Sequence, residues 1–556
     1  MEKMETVETE TSSELFVDMY AKYVSTNHVD PTKKVFKQFL KDMGKSTKFE
    51  DFFTDIKELR RCAREKYPSL CKDVLSEDDF STNEYIEKVM EEIGSHKSFL
   101  ITTAVSEQPV DQGVFNSFKT YCEKNNALML VMPTANTTNT KNSAQITVDP
   151  ILHYGCVVAR DYYLTNNLVV SGMVISAKKI NPLLGVPDIV SKHNASVIVQ
   201  GTKQMRKAVP VMKGKPERIM ACTGAVTVAN YSTEFAMSRR VSYLANLNHV
   251  YGAVLVDIKD NDLVNIRLVR CDVDGSFIDD GNIYRPDGTV GRETEAVLVL
   301  GDSHAGAHDE KLFKSLLKAI SKREFIKEVV LHDLCNASAV CHHEDNDFVK
   351  RTIRTADGTA SLQQNIDEVN KYLNRLTEVP NIKVTIVNSN HDDHISKYVK
   401  EFKSVKNRDF INMKTSAELF VLLTDDCTKS PLEVLCTTNQ PVPLNNQDRI
   451  NWLKLDESYM YKGIELGNHG HLGSNGARGS LKSTKTACYN AVIGHSHSGA
   501  IDGDCMQVGT TSNRDMGYNK GYSSWTNDCA LCYSNGTKQL ISFIYDGEDY
   551  ISDLGK

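Results

Sequence analysis

The segment Val297-Leu298-Val299-Leu300-Gly301-Asp302-Ser303-His304 places two metal-ligand side chains directly after a short apolar run. Short apolar runs rich in β-branched residues predict buried strands. The same arrangement recurs three times further along the chain, and a fifth polar cluster stands without a preceding run. The runs and clusters are Val329–Leu331 before His332-Asp333-Leu334-Cys335-Asn336, Val384–Val387 before Asn390-His391-Asp392, Ala491–Ile493 before Gly494-His495-Ser496-His497, and the isolated His469-Gly470-His471.

Polar clusters that follow successive strands predict a site at one edge of a sheet. In an open α/β sheet the strand ends converge, and binding sites of this fold class form there. A single cluster would be explained by turn or core chemistry. Five clusters in this order, between Gly301 and His497, instead indicate an α/β fold built around one polar site.

The side chains in these clusters are Asp, Asn and His, and none of the ligands required is a thiolate. Oxygen and imidazole donors suit Mn²⁺, Fe²⁺ or Zn²⁺. Two ions about 3.5–4 Å apart orient and acidify a water molecule and hold the oxygens of a phosphate ester. The clusters supply enough ligands for two such ions with one bridging carboxylate, which predicts a hydrolytic centre.

The order D-x-H, D-x-x-N, N-H-D, H-G-H and G-H-x-H resembles the calcineurin-like metallophosphoesterase superfamily. That superfamily includes phosphoprotein phosphatases, cyclic-nucleotide phosphodiesterases and SbcD-type DNA-repair nucleases. The resemblance covers roughly residues 293–530. It implies an α/β metallophosphoesterase domain over residues 293–556, in which a layered β-sandwich is flanked by helices.

The resemblance also assigns roles to individual residues. His391 would protonate the leaving oxygen, with Asp392 behind it as an orienting partner. His471 could replace His469 as a ligand, Asn336 follows the bridging position, and His343 is a candidate for phosphate contact. The implied ligands are Asp302, His304 and His497 for the first metal, Asp333 for both metals, and Asn390, His469 and His495 for the second.

Three positions depart from the family pattern. His332 and Ser389 stand where the family usually has Gly, and Asn336 replaces an Asp that is often followed by Arg. Phosphoprotein phosphatases use that Arg to bind phosphate, so its absence favours a nuclease or diesterase. Mn²⁺ is the common metal of the family's nucleases, with Mg²⁺, Fe²⁺ and Zn²⁺ as alternatives.

Two further regions precede the metal domain in this chain of 556 residues. Residues 1–95 have helical periodicity, and the Lys- and Arg-rich stretch within them is either a DNA-contacting face or the solvated face of a small bundle. Residues 96–292 begin with a strand–helix–strand pattern, which predicts an accessory α/β domain. No Gly-rich phosphate loop follows its first strand, so a structural or substrate-guiding role is expected.

The accessory region contains a run of basic residues. Dispersed Lys and Arg side chains supply most sequence-independent affinity for nucleic acids, so this run could follow a phosphate backbone. The alternative is a solvated loop. The residues are Lys203, Arg206, Lys207, Lys213, Lys215 and Arg218.

Composition points to the cytoplasm as the compartment. The formal net charge of -7 neither requires nor excludes nucleic acid as a partner. The 14 cysteines are scattered, which is typical of reduced thiols. The N-terminus is acidic rather than signal-like, and no apolar run approaches the roughly 18–20 residues of a membrane helix. The family's nucleases commonly dimerise, so a homo-oligomer is expected.

The function expected from these features is a metal-dependent DNA phosphodiesterase. The stretches Gly473–Gly479 and Tyr522–Thr526 resemble those of phage-encoded metallophosphoesterases, which implies a nuclease that degrades host bacterial DNA early in infection. One alternative is a phosphomonoesterase or a small-molecule or cyclic-nucleotide phosphodiesterase. Another is an interaction protein that binds a phage or host factor, with the metal domain as a scaffold.

Overall fold

The computed structural model describes residues 12–27, 31, 33–67, 75–136, 146–231, 236–259, 263–517 and 519–552. They form a mixed α/β fold with several sheets. Three N-terminal helices, α1 (Ser13–Asn27), α2 (Lys33–Asp42) and α3 (Ile56–Lys66), pack around their own aromatic core. The helical periodicity of this region is thus confirmed for its described residues.

The middle of the chain alternates strands and helices. Its elements are β1 (Leu75–Ser76), α4 (Glu77–Phe80), α5 (Asn83–Ser95), β2 (Ser98–Val105), α6 (Gln112–Asn125), β3 (Ala127–Thr134), β4 (Thr147–Val148), β5 (Cys156–Val157), β6 (Tyr162–Thr165), β7 (Leu168–Val170), α7 (Val186–His193), β8 (Ser196–Val199), β9 (Met205–Val209), β10 (Arg218–Cys222), α8 (Ala236–Asn248), β11 (Gly252–Ile258), β12 (Val264–Arg270), β13 (Phe277–Asp279), β14 (Asn282–Tyr284) and β15 (Val290–Arg292).

The C-terminal part repeats this alternation with a long helical insertion. Its elements are β16 (Ala296–Val299), α9 (Glu310–Lys322), β17 (Ile326–Leu331), α10 (Phe348–Ala356), α11 (Leu362–Thr377), β18 (Lys383–Ile386), α12 (Asp392–Lys400), α13 (Lys403–Lys406), α14 (Phe410–Asp425), α15 (Pro431–Thr437), β19 (Ile450–Trp452), β20 (Met460–Tyr461), β21 (Ile464–Glu465), α16 (Leu481–Ala487), β22 (Ala491–Ile493), β23 (Ala500–Asp502), β24 (Cys505–Gln507), β25 (Asp528–Tyr533), β26 (Lys538–Ser542), β27 (Ile544–Tyr545) and β28 (Tyr550–Ile551).

Three large sheets form the body of the fold. A five-stranded sheet has the order β12-β11-β2-β3-β5, and a six-stranded sheet has the order β26-β25-β16-β17-β18-β19. A ten-stranded sheet runs β6-β7-β8-β10-β9-β23-β24-β22-β21-β20. Phe99, Ile198, Val299 and Val492 belong to one buried cluster, so the ten-stranded sheet packs its apolar face against both smaller sheets.

The strand order shows that the chain contains the same unit twice. The half-sheet β6-β7-β8-β10-β9 has the order and strand directions of β20-β21-β22-β24-β23. Likewise, β12-β11-β2-β3-β5 matches β26-β25-β16-β17-β18. The two repeats join through the antiparallel pair β9–β23, whose strands are equivalent in the two units.

The two repeats also have equivalent helices. Helix α6 follows the first strand of the first repeat and α9 follows the first strand of the second, and each has an Asp cap. Asp111 accepts from the Val114 amide, and Asp309 accepts from the amides of Lys311 and Leu312. A capping carboxylate satisfies amides that the helix leaves unpaired. The repetition did not emerge from the sequence analysis.

The predicted strand–helix–strand start of residues 96–292 is confirmed, and it corresponds to β2, α6 and β3. The end of this region contains the small sheet β13-β14-β15. The regions on either side of residue 292 share the ten-stranded sheet, so they are not structurally separate.

The residues of the basic run in the first repeat do not form one exposed surface. The prediction that they contact DNA is therefore wrong for the buried residues of the run. Arg206 is 1% exposed and its Nη1 lies 2.9 Å from Asp528 Oδ2 in the other repeat. The Nζ of Lys203, also buried, lies 2.7 Å from Asp502 Oδ1. Arg218 is half-buried and donates to Asn194. The exposed members are Lys207, Lys213 and Lys215, of which Lys213 pairs with Asp515.

All cysteines within the described ranges are free thiols. No helix in the described part of the chain is long and apolar enough to cross a membrane.

Replacing Arg206 with Ala should destabilise the junction between the repeats. The substitution leaves Asp528 buried without its cation, and breaking a buried pair in this way costs about 3–5 kcal/mol. The free energy of unfolding from urea titration measures the effect. The matched control is Lys207→Ala on the same strand, whose side chain is exposed and whose replacement should change stability by about 0.5 kcal/mol or less. Equal stability of both variants would contradict this account of the junction.

Candidate functional site

The candidate site forms where the strand ends of two sheets meet. The parallel strands β16, β17 and β18 are neighbours in the six-stranded sheet, and their carboxyl ends lead to Asp302, Asp333 and Asn390. The histidines of the last two clusters instead follow β21 and β22 of the ten-stranded sheet. The expectation that all clusters share one sheet edge is therefore wrong for these histidines, although the five clusters do converge.

The first group of donors is fully buried. The ligand atoms of Asp302, His304, Asp333 and His497 lie within 4.8 Å of one another. His497 Nε2 is 2.9 Å from Asp302 Oδ2 and 3.1 Å from His304 Nε2. His304 Nε2 is 3.6 Å from Asp333 Oδ2. Two carboxylates and two imidazoles directed at one point fit a divalent cation of the Mn²⁺ to Zn²⁺ series.

A second group of donors lies on the other side of Asp333. Asn390 Oδ1 is 3.0 Å from His469 Nε2 and 3.1 Å from His495 Nδ1. His469 Nε2 is in turn 3.8 Å from Asp333 Oδ2. Asp333 Oδ2 therefore faces both groups, which is the position that a bridging carboxylate requires. The seven residues assigned as ligands from the sequence are all brought together here.

The electrostatics of the site favour cation binding. Burial holds the pKa of His304 and of His469 well below the usual value, which favours the neutral rings that keep a lone pair. Burial opposes ionisation of Asp302, but its proximity to His469 and His497, including the hydrogen bond from His497, holds its pKa below the usual range. Burial raises the pKa of Asp333, and the nearby His391 opposes that shift. Neutral imidazoles and ionised carboxylates are the forms that ligate metal ions.

The backbone at the site is strained. His304, Asp333, His495 and His497 all have positive φ, at 44°, 47°, 76° and 56°. Such conformations cost on the order of 1–3 kcal/mol each in residues other than Gly and persist where the surroundings impose them. Four strained residues within one group of seven indicate that the fold maintains this geometry for a function.

Gly494 has a steric role in the G-H-x-H cluster. A Cβ at this position would lie 2.3 Å from Asp302 Oδ1 and 3.0 Å from the Cβ of His332. The close approach lets the His495 amide donate to Asp302 Oδ1 at 3.1 Å. His332 is itself buried beside Gly494, and burial lowers its pKa to about 4.

His391 stands at the open side of the ligand groups. Its Nδ1 lies 2.9 Å from the backbone oxygen of Asn336, so Nδ1–H donates to that carbonyl. Its Nε2 faces the metal groups, 3.8 Å from Asp333 Oδ2. Burial opposes protonation of the ring, but Asp333 and the Asn336 carbonyl together raise its pKa. Asn336 thus contributes its carbonyl to the site.

Asp392 does not orient His391, which corrects the role expected from the sequence. Its Oδ2 accepts from both the amide and the hydroxyl of Ser389 at 3.0 Å. The Ser389 hydroxyl also lies 2.6 Å from Asp333 Oδ1. Burial, and then the charge of Asp333, raise the pKa of Asp392 to about 7. Asp392 is therefore a positioning residue for Ser389 and the bridging carboxylate.

The structure distinguishes the two histidines of the fourth cluster. His469 belongs to the second donor group, whereas the ring of His471 lies 5.3 Å from that of His469, behind it, and 6.1 Å from that of His495. Burial lowers the pKa of His471 as well. The geometry supports His469 as the ligand.

A cleft of about 480 Å³ opens over the donor groups. Its wall includes His343, the candidate phosphate contact, and four residues that the sequence analysis did not assign: Lys350, His394, Arg478 and Trp525. The Trp525 ring lies 4.1 Å from that of His497. Arg478 is one residue of the quoted Gly473–Gly479 stretch, but nothing in the sequence places these side chains beside the metal ligands.

The first repeat has the backbone of this site without its ligands. The Thr103 amide donates to Gly224 O as the Asp302 amide donates to Gly509 O. The Gly201 amide donates to Thr103 Oγ1 at 3.0 Å, matching the bond from His495 to Asp302. Thr103 and Gly201 therefore occupy the positions of Asp302 and His495.

The equivalence extends to the bridging residue. The Ser106 amide donates to Thr134 O as the Ala305 amide donates to Leu334 O, which puts Pro133 at the position of Asp333. Thr103, Pro133 and Gly201 cannot replace the two aspartates and His495 as metal ligands. Of the two repeats, the second holds the candidate centre.

Comparison with known proteins gives one curated relative. The chain is 28% identical over 387 residues to Protein A1 of Escherichia phage T5. The alignment covers 65% of this chain and 66% of that protein, so the chain spans just under two thirds of the relative. No protein-family model matches the chain, and no solved structure matches it. The chain is thus similar to a bacteriophage protein.

The assignment of His469 can be tested by metal content. His469→Ala removes one of the nitrogen donors of the second group, so it should bind less Mn²⁺ per chain than the unchanged protein after gel filtration. His471→Ala is the matched control, because it alters the same loop and should retain the metal. Elemental analysis of both proteins gives the comparison. A loss in the His471 variant alone would reverse the assignment.

Proposed function

We propose that this protein is a metal-dependent phosphodiesterase that cleaves DNA with two divalent ions, and that Mn²⁺, the common metal of the nucleases it resembles, is the native ion. The observation that carries the proposal is the pair of donor groups that share Asp333 Oδ2. Mg²⁺, Fe²⁺ and Zn²⁺ are alternative occupants. The order of the ligand clusters along the chain, shared with the calcineurin-like metallophosphoesterases, supports the same reaction class.

The ions, when bound, supply Lewis-acid charge and a water of lowered pKa at the scissile phosphate. The protein supplies the remaining functions. His391 presents Nε2 toward the cleft, because its Nδ1 is held by the Asn336 carbonyl. A proton on that Nε2 is placed to pass to the leaving oxygen. Arg478 on the cleft wall offers positive charge to the phosphates. Lys350 lies on the same wall, where its Nζ is 3.4 Å from Glu344 Oε1.

Two features favour DNA over a small phosphoester. The cleft carries Trp525 next to the ligand His497, and an aromatic ring at this place can stack against a base. The similarity to a phage protein is consistent with a substrate in the infected cell. We therefore assign to this protein the degradation of host DNA in the bacterial cytoplasm early in phage infection. The expected homo-oligomer stays a prediction.

DNA cleavage tests the proposal directly. The full chain is incubated with closed-circular and linear DNA in Mn²⁺, in Mg²⁺ and in chelator, and the products are resolved on gels. We expect metal-dependent cleavage that is lost in Asp302→Ala, because that variant removes a ligand of the first group. His391→Asn should also lose cleavage but should retain bound metal, because the ring is not among the ligands.

His153→Asn provides the matched histidine control, because His153 is exposed and does not line the cleft. It should cleave DNA at the rate of the unchanged protein. Intact DNA in every metal would refute the nuclease assignment and leave a small phosphoester as the substrate. Full activity of the His391 variant would refute the role of that residue alone.

A further inference from the structure

A second group of histidines lies outside the two donor groups described above. The ligand atoms of His342, His343 and His394 lie within 4.8 Å of one another. His342 and His343 belong to a short 3₁₀ turn, and His394 lies in the first turn of α12. The resemblance to the metallophosphoesterases assigns no ligand among these residues. Their convergence needs a physical explanation.

The geometry of the group is compact. His342 Nδ1 and His394 Nδ1 are 2.8 Å apart, and the rings of His342 and His343 have centroids 3.9 Å apart. The centroid of His343 lies 5.7 Å from that of His394. In a tetrahedral zinc site with Zn–N bonds of about 2.0–2.1 Å, two nitrogens are separated by about 3.4 Å. A small rotation of either ring therefore opens the space for an ion.

We propose that His342, His343 and His394 form a third cation site, for a divalent transition metal, on the wall of the catalytic cleft. The inference goes beyond the two-ion centre, because none of its ligands is shared with that centre. Three imidazoles without a carboxylate favour Zn²⁺, Co²⁺ or Ni²⁺ over Mn²⁺ or Mg²⁺.

The protonation states of His342 and His394 suit metal binding at this site. Burial, followed by the nearby His391, His342 and His343, lowers the pKa of His394 to about 3. Burial also lowers the pKa of His342. Both rings are therefore neutral near pH 7. The hydrogen bond between their Nδ1 atoms gives way to an ion when the ring that carries the Nδ1 proton holds it at Nε2 instead, because each Nδ1 then offers a lone pair. Cys341 Sγ lies 3.8 Å from His394 Nε2, on the opposite side of that ring from the shared Nδ1 face.

The position of the three histidines beside His391 and the cleft suggests that an ion bound there contacts the substrate. His391 lies between the two centres, with its ring 4.6 Å from that of His304 and 5.2 Å from that of His394. His343 and His394 both line the cleft. Three protein ligands leave a coordination position for an outside oxygen. An ion here would hold a phosphate oxygen of the substrate next to the scissile group.

Cobalt binding by the full chain tests the proposal without requiring activity. Co²⁺ bound at equilibrium is measured by dialysis and elemental analysis, and the visible absorption of Co²⁺ reports its coordination. The double variant His342→Asn/His343→Asn should bind one Co²⁺ fewer than the unchanged protein. It retains the buried His394, so the fold is preserved, which circular dichroism checks.

The variant Asp302→Asn/His497→Asn serves as the complementary protein, since it disables the first group of the main centre. It should keep the ion that the His342/His343 variant loses. Equal Co²⁺ content in the His342/His343 variant and the unchanged protein would overturn the proposal, as would loss of the same ion in both variants. Because the readout is metal content, a chain that failed to cleave DNA could still pass this test.

Discussion

The buried carboxylate of Asp333 is the element on which the candidate centre depends. Its Oδ2 faces His304 on one side and His469 on the other, at 3.6 and 3.8 Å. Its Oδ1 accepts a hydrogen bond from the Ser389 hydroxyl. The carboxylate of Asp392 contacts the same hydroxyl and holds Ser389 in position. A buried anion is tolerated only where cations or hydrogen bonds compensate it. The same carboxylate therefore connects two donor groups, each of which combines residues from both sheets, and its position decides whether both can form.

The internal repetition supplies the rigid frame around that carboxylate. The two repeats join at β9 and β23, where the buried Arg206 of the first repeat reaches Asp528 and the Gly499 carbonyl of the second. Thr526 donates to Asp528 through its hydroxyl and to the His497 carbonyl through its amide. The ligand loop carrying His497 is thus tied to the junction. The first repeat has Thr103, Pro133 and Gly201 at the equivalent positions and contributes Arg206 to the junction with the second.

Patterns local in sequence were predicted well. The apolar runs before Asp302, Asp333 and Asn390 form the parallel strands β16, β17 and β18, because a short continuous apolar run and the polar residues that end it are neighbours in the sequence. The role of Asp392 was predicted wrongly, because hydrogen-bond partners depend on side-chain directions that spacing does not give. The predicted contact with nucleic acid was wrong for Arg206 and Lys203 for a related reason. The sequence suggests surface cations, but in the structure both side chains are buried against acidic partners about 300 residues away.

The sequence by itself determined which residues of this protein can ligate a metal, in what order they occur, and that buried strands precede most of them. The tertiary structure decided which of those residues lie together and which other residues they contact. Only the pairing of two sheets brings His469, His495 and His497 to the aspartates, and only the folded chain reveals the repetition and the cluster of His342, His343 and His394. The physical reason is that ligand type is a property of single residues, whereas convergence, burial and strain arise from contacts between segments distant in the chain.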